Sequence, residues 1–345
     1  MRVLGMAMAL VLGLAPLSRA EPLELKRVAA DAKWVVHVDV DALRASTVAQ
    51  KAYQKCLEMH KGAEKMMDMG CRMIGMDPRK DLHGVTIYGK DTDKEHGVMI
   101  LHADVNQKLL LEMVKKAPEH KATAYGSYEL HSWMHKGWKK ESRMVTGVFY
   151  KPNVLVFAGC DEAVKAALDV LDGKSAGITD RESPLAGRLM PGSIFIARAA
   201  AINPKTRCPV LQQAESFRIA LGENKGESFY RARLVMKSTE AVDQLKAINE
   251  GFRALVSLRH GSDAQVMKLI GGLKTTSEGT TINIRWSASA DDVWAVAEKT
   301  AKKLAEYKGM GHGCPMCSGP AEGKCPMHGD AKKSKPQPKH QEDEF

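Results

Sequence analysis

The sequence predicts an α+β protein of two similar halves, each ordered β-α-β-β-α-β-β-α, with an antiparallel sheet and helices on one face. Three observations predict it. Strand and helix signals follow the same order twice along the chain. Several strands alternate cleanly: Ile282, Ile284 and Trp286 share one side, and Thr281, Asn283 and Arg285 the other. One wet and one buried face per strand marks an antiparallel sheet covered on a single side. Composition agrees, since 44% of the 345 residues are apolar and 27% charged, which excludes disordered, collagen-like and disulfide-scaffold classes.

The first half covers residues 21–175. Residues 34–40 alternate as a strand, and a Met-rich helical stretch occupies 43–74. Strands follow at 85–89 and 98–104, and Asn106 caps a helix over 107–116. Two further strands surround 125–133 and 145–158, the second bent at Lys151-Pro152-Asn153. Asp161 is placed to cap a helix over 162–171 that Gly173 stops. A Gly-, Ser- and Pro-containing linker, 176–192, leads to the second half, 193–307. There the order is a strand at 193–199, a helical piece at 210–215 and a hairpin of 217–221 with 228–236. A helix over 240–258 resumes at 264–270, a hairpin joins 274–277 to 280–287, and Ser289 to Asp292 form a capping box before the helix 291–305.

Arg2, the apolar run 3–17 and Ser18-Arg19-Ala20 make residues 1–20 a secretory signal peptide, cleaved after Ala20. The expectation is a secreted or periplasmic protein. No later apolar run reaches the length of about eighteen residues that a membrane span needs. Removing Arg2 and Arg19 lowers the net charge from +10 to +8. The remaining basic residues are scattered, as at Lys115-Lys116, Lys139-Lys140 and Lys302-Lys303, with no aromatic platform between them. Nucleic acid is therefore not an expected partner; a protein or anionic envelope partner is.

After residue 307 the composition turns to Gly, Pro, Lys, His and Cys without apolar periodicity, so 308–345 reads as a disordered tail. It contains Cys314-Pro315-Met316-Cys317 and Cys325-Pro326-Met327-His328, a C-x2-C-x7-C-x2-H pattern. A two-residue gap lets both ends of a tight turn reach one ion, and Gly319, Pro320 and Gly323 make the connection pliable. Cys314, Cys317, Cys325 and His328 suit tetrahedral Zn, whereas the thiolates with Met316, Met327 and His312 suit Cu(I). A disulfide between Cys314 and Cys317, or an extension with no ligand, are the competing readings.

The Cys-Pro-Met-His segment resembles the short heavy-metal-binding segments attached to copper- and zinc-handling transporters and efflux proteins. That resemblance implies metal contact through Cys325, Met327 and His328, and through Cys314, Met316 and Cys317 in the sister copy. Here Gly329 stands where those segments usually carry Pro, and no aromatic residue precedes the cysteines. The body, in its element order behind a signal peptide, resembles secreted bacterial proteins of unknown function, which implies no activity.

Two weaker patterns lie in the body. Met59, Met66, Met69, Met73 and Met76 follow three- and four-residue steps, the pattern of a buried helical stripe. His37, Asp39 and Asp41 alternate along the first strand, and His102 and Asp104 repeat the H-x-D pattern later. Convergence of these at one sheet edge would bind a divalent ion or perform acid–base chemistry, although Asp41 is also placed to cap the helix beginning at Ala42. His131 and His135, four apart in a strand, are too distant to share an ion. No G-x-S-x-G, H-E-x-x-H, P-loop or helix-opening G-x-G-x-x-G occurs. The expectation is thus an exported non-enzymatic protein whose tail binds a soft metal in metal handling or sensing. The alternatives are a metal-assisted enzyme on the strand cluster and an envelope interaction protein without ligand.

Overall fold

The computed structural model describes residues 22–60, 62–91, 96–136, 142–179, 183–202, 206 and 208–308. The residues expected as a leader and the Cys/His tail therefore lie outside the described residues. The chain is mixed α+β. Among the described residues, no helix is long and apolar enough to cross a membrane. Residues up to Val296 form one compact unit, and Ala297 onward belong to another.

In the first half, β1 (Trp34–Asp39) leads into α1 (Val40–Ala45), α2 (Thr47–Met59) and α3 (Ala63–Ile74). The Met-rich helical stretch expected over 43–74 is divided among three helices. Ser46 accepts the N–H of Ala49 and starts α2, and Gly62 at φ 99° separates α2 from α3 in a conformation that glycine adopts without a Cβ clash. The hairpin β2 (Leu82–Gly89) and β3 (Val98–Ala103) follows, then α4 (Gln107–Lys115), capped by Asn106 as its sequence predicts. The two strands expected over 125–133 and 145–158 are four: β4 (Lys121–Tyr125), β5 (Tyr128–Lys136), β6 (Ser142–Lys151) and β7 (Val154–Ala158). Gly126, at φ 58°, turns the first pair, and Pro152-Asn153 turn the second.

Helix α5 (Asp161–Leu171) begins one residue earlier than predicted, and Asp161 is not its cap. Its carboxylate instead accepts the hydroxyls of Ser132 and Thr146, both at 2.7 Å. Those two residues are cross-strand partners on β5 and β6, so only strand pairing creates the competing donors.

The second half contains β8 (Ser193–Ala199), α6 (Pro209–Gln212), β9 (Ala214–Asn224), β10 (Glu227–Met236), α7 (Thr239–His260), α8 (Ala264–Gly271), β11 (Lys274–Glu278), β12 (Thr281–Ser289) and α9 (Ala290–Lys308). This is the expected order. The β9–β10 turn, Lys225 at φ 51° and Gly226 at φ 76°, has the two positive φ values of a type I′ hairpin. Ser289 accepts the N–H of Asp292 at 3.1 Å, the cap predicted for the last helix.

All strands join one antiparallel sheet in the order β11-β12-β10-β9-β8-β1-β2-β3-β7-β6-β5-β4. Pairing of β1 with β8 carries the sheet through the centre, with Val35 opposite Arg198 and Val36 opposite Ala197. Register then assigns every residue to a face. Val35, Tyr88, Val98, Ile100, Val156 and Ala158 share one face and bury Val164, Ala167 and Leu168 of α5. Ala232, Leu234 and Ile282 lie on the opposite face, that of Ala197, and bury Ala241, Val242 and Leu245 of α7. Helices α5 and α7, one from each half, therefore cover opposite faces of the continuous sheet. Each fully buried aliphatic side chain contributes roughly 1.5–3 kcal/mol, so both cores matter to stability.

The segment expected as a linker also packs. Leu185 is wholly buried, Ile178 nearly so, and Ile178 donates its N–H to Val28 at 2.9 Å.

Candidate functional site

On β1 the buried residues are Val35, His37 and Asp39, while Val36 and Val38 are half-buried. The side expected to carry the polar cluster is thus the covered one. His37 Nδ1 lies 2.9 Å from Thr86 Oγ1 on the neighbouring strand. Asp39 ends the strand and caps α1, accepting the N–H of Ala42 at 2.8 Å. The capping role expected of Asp41 belongs to Asp39, because the chain turns helical at Val40. Burial raises the Asp39 carboxyl above its ordinary range, against the hydrogen bond from Ala42, and neighbouring Asp41 raises it further.

Turning helical also removes Asp41 from the strand face. Its carboxylate pairs with Arg44 and lies 3.1 Å from Nδ1 of His83. On the other side of that ring, Asp104 Oδ2 is 3.4 Å from Nε2. Arg44 also donates to the carbonyl of Leu82 at 2.9 Å, which ties α1 to the start of β2. His102 is buried on β3 opposite Gly84, and Gly84 also stands opposite Asp39.

The predicted residues therefore divide. His37, Asp39 and His102 share the covered sheet face, and Asp41 and Asp104 meet around His83. Sequence reasoning missed His83 because a register shift between Leu82 and Gly84 takes it out of strand alternation. The His-Gly step at a strand start was the only local sign. Among the described residues, no group of three or more His, Cys, Asp or Glu side chains is arranged to hold a metal ion. Asp39 works as a cap and Asp41 as an ion-pair partner, and both are structural tasks.

His131 finds a partner other than His135. Its ring stacks on His120 with centroids 5.4 Å apart, and Nδ1 lies 3.2 Å from Nε2 of His120. Burial holds the His131 imidazole below its ordinary range; Glu129 opposes this, and His120 and Lys115 reinforce it.

The methionine stripe is not buried. Met59, Met66, Met69 and Met73 are 61%, 50%, 60% and 69% exposed, and neither α2 nor α3 has a buried residue. Helical periodicity reports an apolar face but not whether another element covers it. Cys56, Cys71 and Cys208 are free thiols. Cys314, Cys317, Cys325, His328, Met316, Met327 and His312 lie outside the described residues, so the tail contributes sequence alone.

What fold and site define is an antiparallel α+β protein with a polar group of Asp41, His83 and Asp104 at the β1–α1 junction. No family model matches the chain, and no curated protein does. Among solved structures, crystal form III of TP0453 aligns at a TM-score of 0.43 and 11% identity, covering 81% of this chain and 99% of that one. Crystal form I of TP0453 aligns at 0.40 and 12% identity, covering 81% and 98%. The fold description rests on the chain's own geometry.

Proposed function

We propose that this chain is an exported, non-enzymatic protein whose C-terminal arm captures a soft metal ion, Zn or Cu(I), in metal handling or sensing. The observation that carries it is the spacing of Cys314, Cys317, Cys325 and His328, two donor pairs each separated by two residues. Met316, Met327 and His312 would add donors suited to copper. The exposed thioethers of Met59, Met66, Met69 and Met73 support a preference for soft ions, since they place more sulfur at the surface. The leader 1–20 supports export, with Glu21 as the first residue of the mature chain.

We read the body as two related copies. Support comes from matching strand orders, β1-β2-β3-β7-β6 and β8-β9-β10-β12-β11, with the β4–β5 hairpin as an addition to the first. Its likeness in element order to secreted bacterial proteins of unknown function belongs to the same reading.

The test is titration of reduced full-length protein with Zn or Cu(I) against a chromophoric competitor. Uptake of about one equivalent is expected, lost in the variant Cys314→Ser, Cys317→Ser, Cys325→Ser, His328→Ala. Uptake no tighter than millimolar, or equal uptake by the variant, overturns the reading.

A further inference from the structure

The sheet face that holds Val35 changes character at the β1–β8 boundary. On β1, β2, β3 and β7 its apolar residues, Val35, Tyr88, Val98, Ile100 and Val156, pack with α5, and His37, Thr86 and His102 lie further along the same face. From β8 outward it carries arginine. Arg198 on β8 stands opposite Arg218 on β9, Arg218 opposite Arg233 on β10, and Arg233 opposite Asn283 on β12. Two residues along the strands, Arg231 on β10 stands opposite Arg285 on β12, which faces Lys274 on β11. Strands about 4.8 Å apart and a two-residue step of about 6.8 Å gather these cations into one small patch. Arg188, Arg198, Arg218, Arg231, Arg233 and Arg285 line a groove of about 450 Å³.

Like charges directly opposite one another in a sheet are destabilising. At other places the chain pairs arginine with acid, as Arg44 with Asp41 and Arg79 with Asp77. The groove has no carboxylate in its lining, and among the described residues none is ion-paired with its arginines. Backbone carbonyls hold the inner three instead. Arg198 donates to Leu185 at 2.7 Å and Gly187 at 3.2 Å, Arg218 to Pro184 at 2.8 Å, and Arg231 to Trp286 at 2.7 Å. Carbonyl dipoles orient guanidinium groups without cancelling their charge. Arg198 is buried at 5% exposure, and Arg233 and Arg285 reach into solvent. Burial, with Arg218 alongside, pushes Arg198 down to about 10, so it still carries a proton at neutral pH.

We propose that this groove is a binding site for a ligand bearing two or more phosphate groups. Rigid guanidinium forks match phosphate oxygens in pairs, and two rows of them answer to more than one phosphate. The volume suits a small ligand or a headgroup. No aromatic side chain lines the groove to stack a base, so phosphate is the recognised element. The groove uses no residue of the C-terminal arm, so the proposal stands whether or not that arm binds metal.

Calorimetric titration of the full-length protein with orthophosphate, pyrophosphate and tripolyphosphate, at constant ionic strength, tests it. Affinity should rise along that series and saturate. The variant Arg233→Gln/Arg285→Gln changes exposed residues and should weaken tripolyphosphate binding at least about tenfold. Lys108→Gln/Lys116→Gln, of equal charge change on α4 and its C-cap, should alter it less than about twofold. Co-sedimentation with phosphatidylcholine vesicles with and without phosphatidic acid identifies the source: arginine-dependent capture of the acidic vesicles assigns a headgroup, and tripolyphosphate binding without such capture assigns a soluble ligand. Saturable binding in neither arm, or equal loss from both variants, overturns the proposal.

Discussion

Glu223 accepts the backbone N–H of Thr47 at 2.9 Å, so a side chain of β9 closes the N-terminus of α2. The same carboxylate accepts the hydroxyl of Ser46 at 2.8 Å and the N–H of Val48 at 3.3 Å. A helix start in the first half is thereby completed by an acid from the second, where the helix dipole favours negative charge.

Replacing that acid should loosen the molecule. Glu223→Ala is expected to lower unfolding free energy by about 1–2 kcal/mol, and Glu223→Gln by less, because an acceptor oxygen remains. Burial alone would raise this carboxyl, but the hydrogen bonds from Thr47, Ser46 and Val48 outweigh it and hold it below its ordinary 4.5. A group depressed on folding stabilises fully above its unfolded value and stops doing so as pH falls through the folded one. Urea melts should therefore show a gap between Glu223→Gln and the parent at neutral pH that closes in acid.

The stacked pair His120 and His131 predicts a second pH effect. Because burial keeps His131 below its ordinary 6.5, the folded state resists taking up a proton that the unfolded chain accepts. Stability is fully present above 6.5 and falls as pH drops through the depressed value. His131→Gln should flatten that part of the stability–pH curve. An NMR titration placing His131 above 6.5 would contradict the assignment.

Exposure of the methionine stripe is testable through stability and oxidation together. Met66→Gln/Met69→Gln/Met73→Gln should change unfolding free energy by no more than about 0.5 kcal/mol per site, as surface changes do. Buried methionines would lose about 2–5 kcal/mol each on truncation. Under dilute peroxide, peptide mapping should find these three sulfoxidised before Met236, which is 2% exposed.

Elements whose signals are local were legible in the sequence. Asn106 caps α4 because its side chain reaches a backbone donor three residues on. Gly226 and Gly279 turn hairpins because each takes a positive φ. The strands at 34–39, 98–103 and 193–199 follow from alternation, and their bounds shifted by no more than a residue or so. Of the candidate site, the sequence named Asp41 and Asp104 but not the histidine between them.

By itself, then, the sequence determined the α+β class, the element order of the second half, and the caps and turns at Asn106, Gly226, Gly279 and Ser289, because each depends on residues only a few places apart. The tertiary structure decided which side of β1 is covered, that Asp39 rather than Asp41 caps α1, that the methionines of α2 and α3 face solvent, and that arginines from β8, β9, β10 and β12 stand in rows. Those facts depend on register and on which distant segment lies over a surface. Contacts between residues far apart in the chain set both, and no local periodicity encodes them.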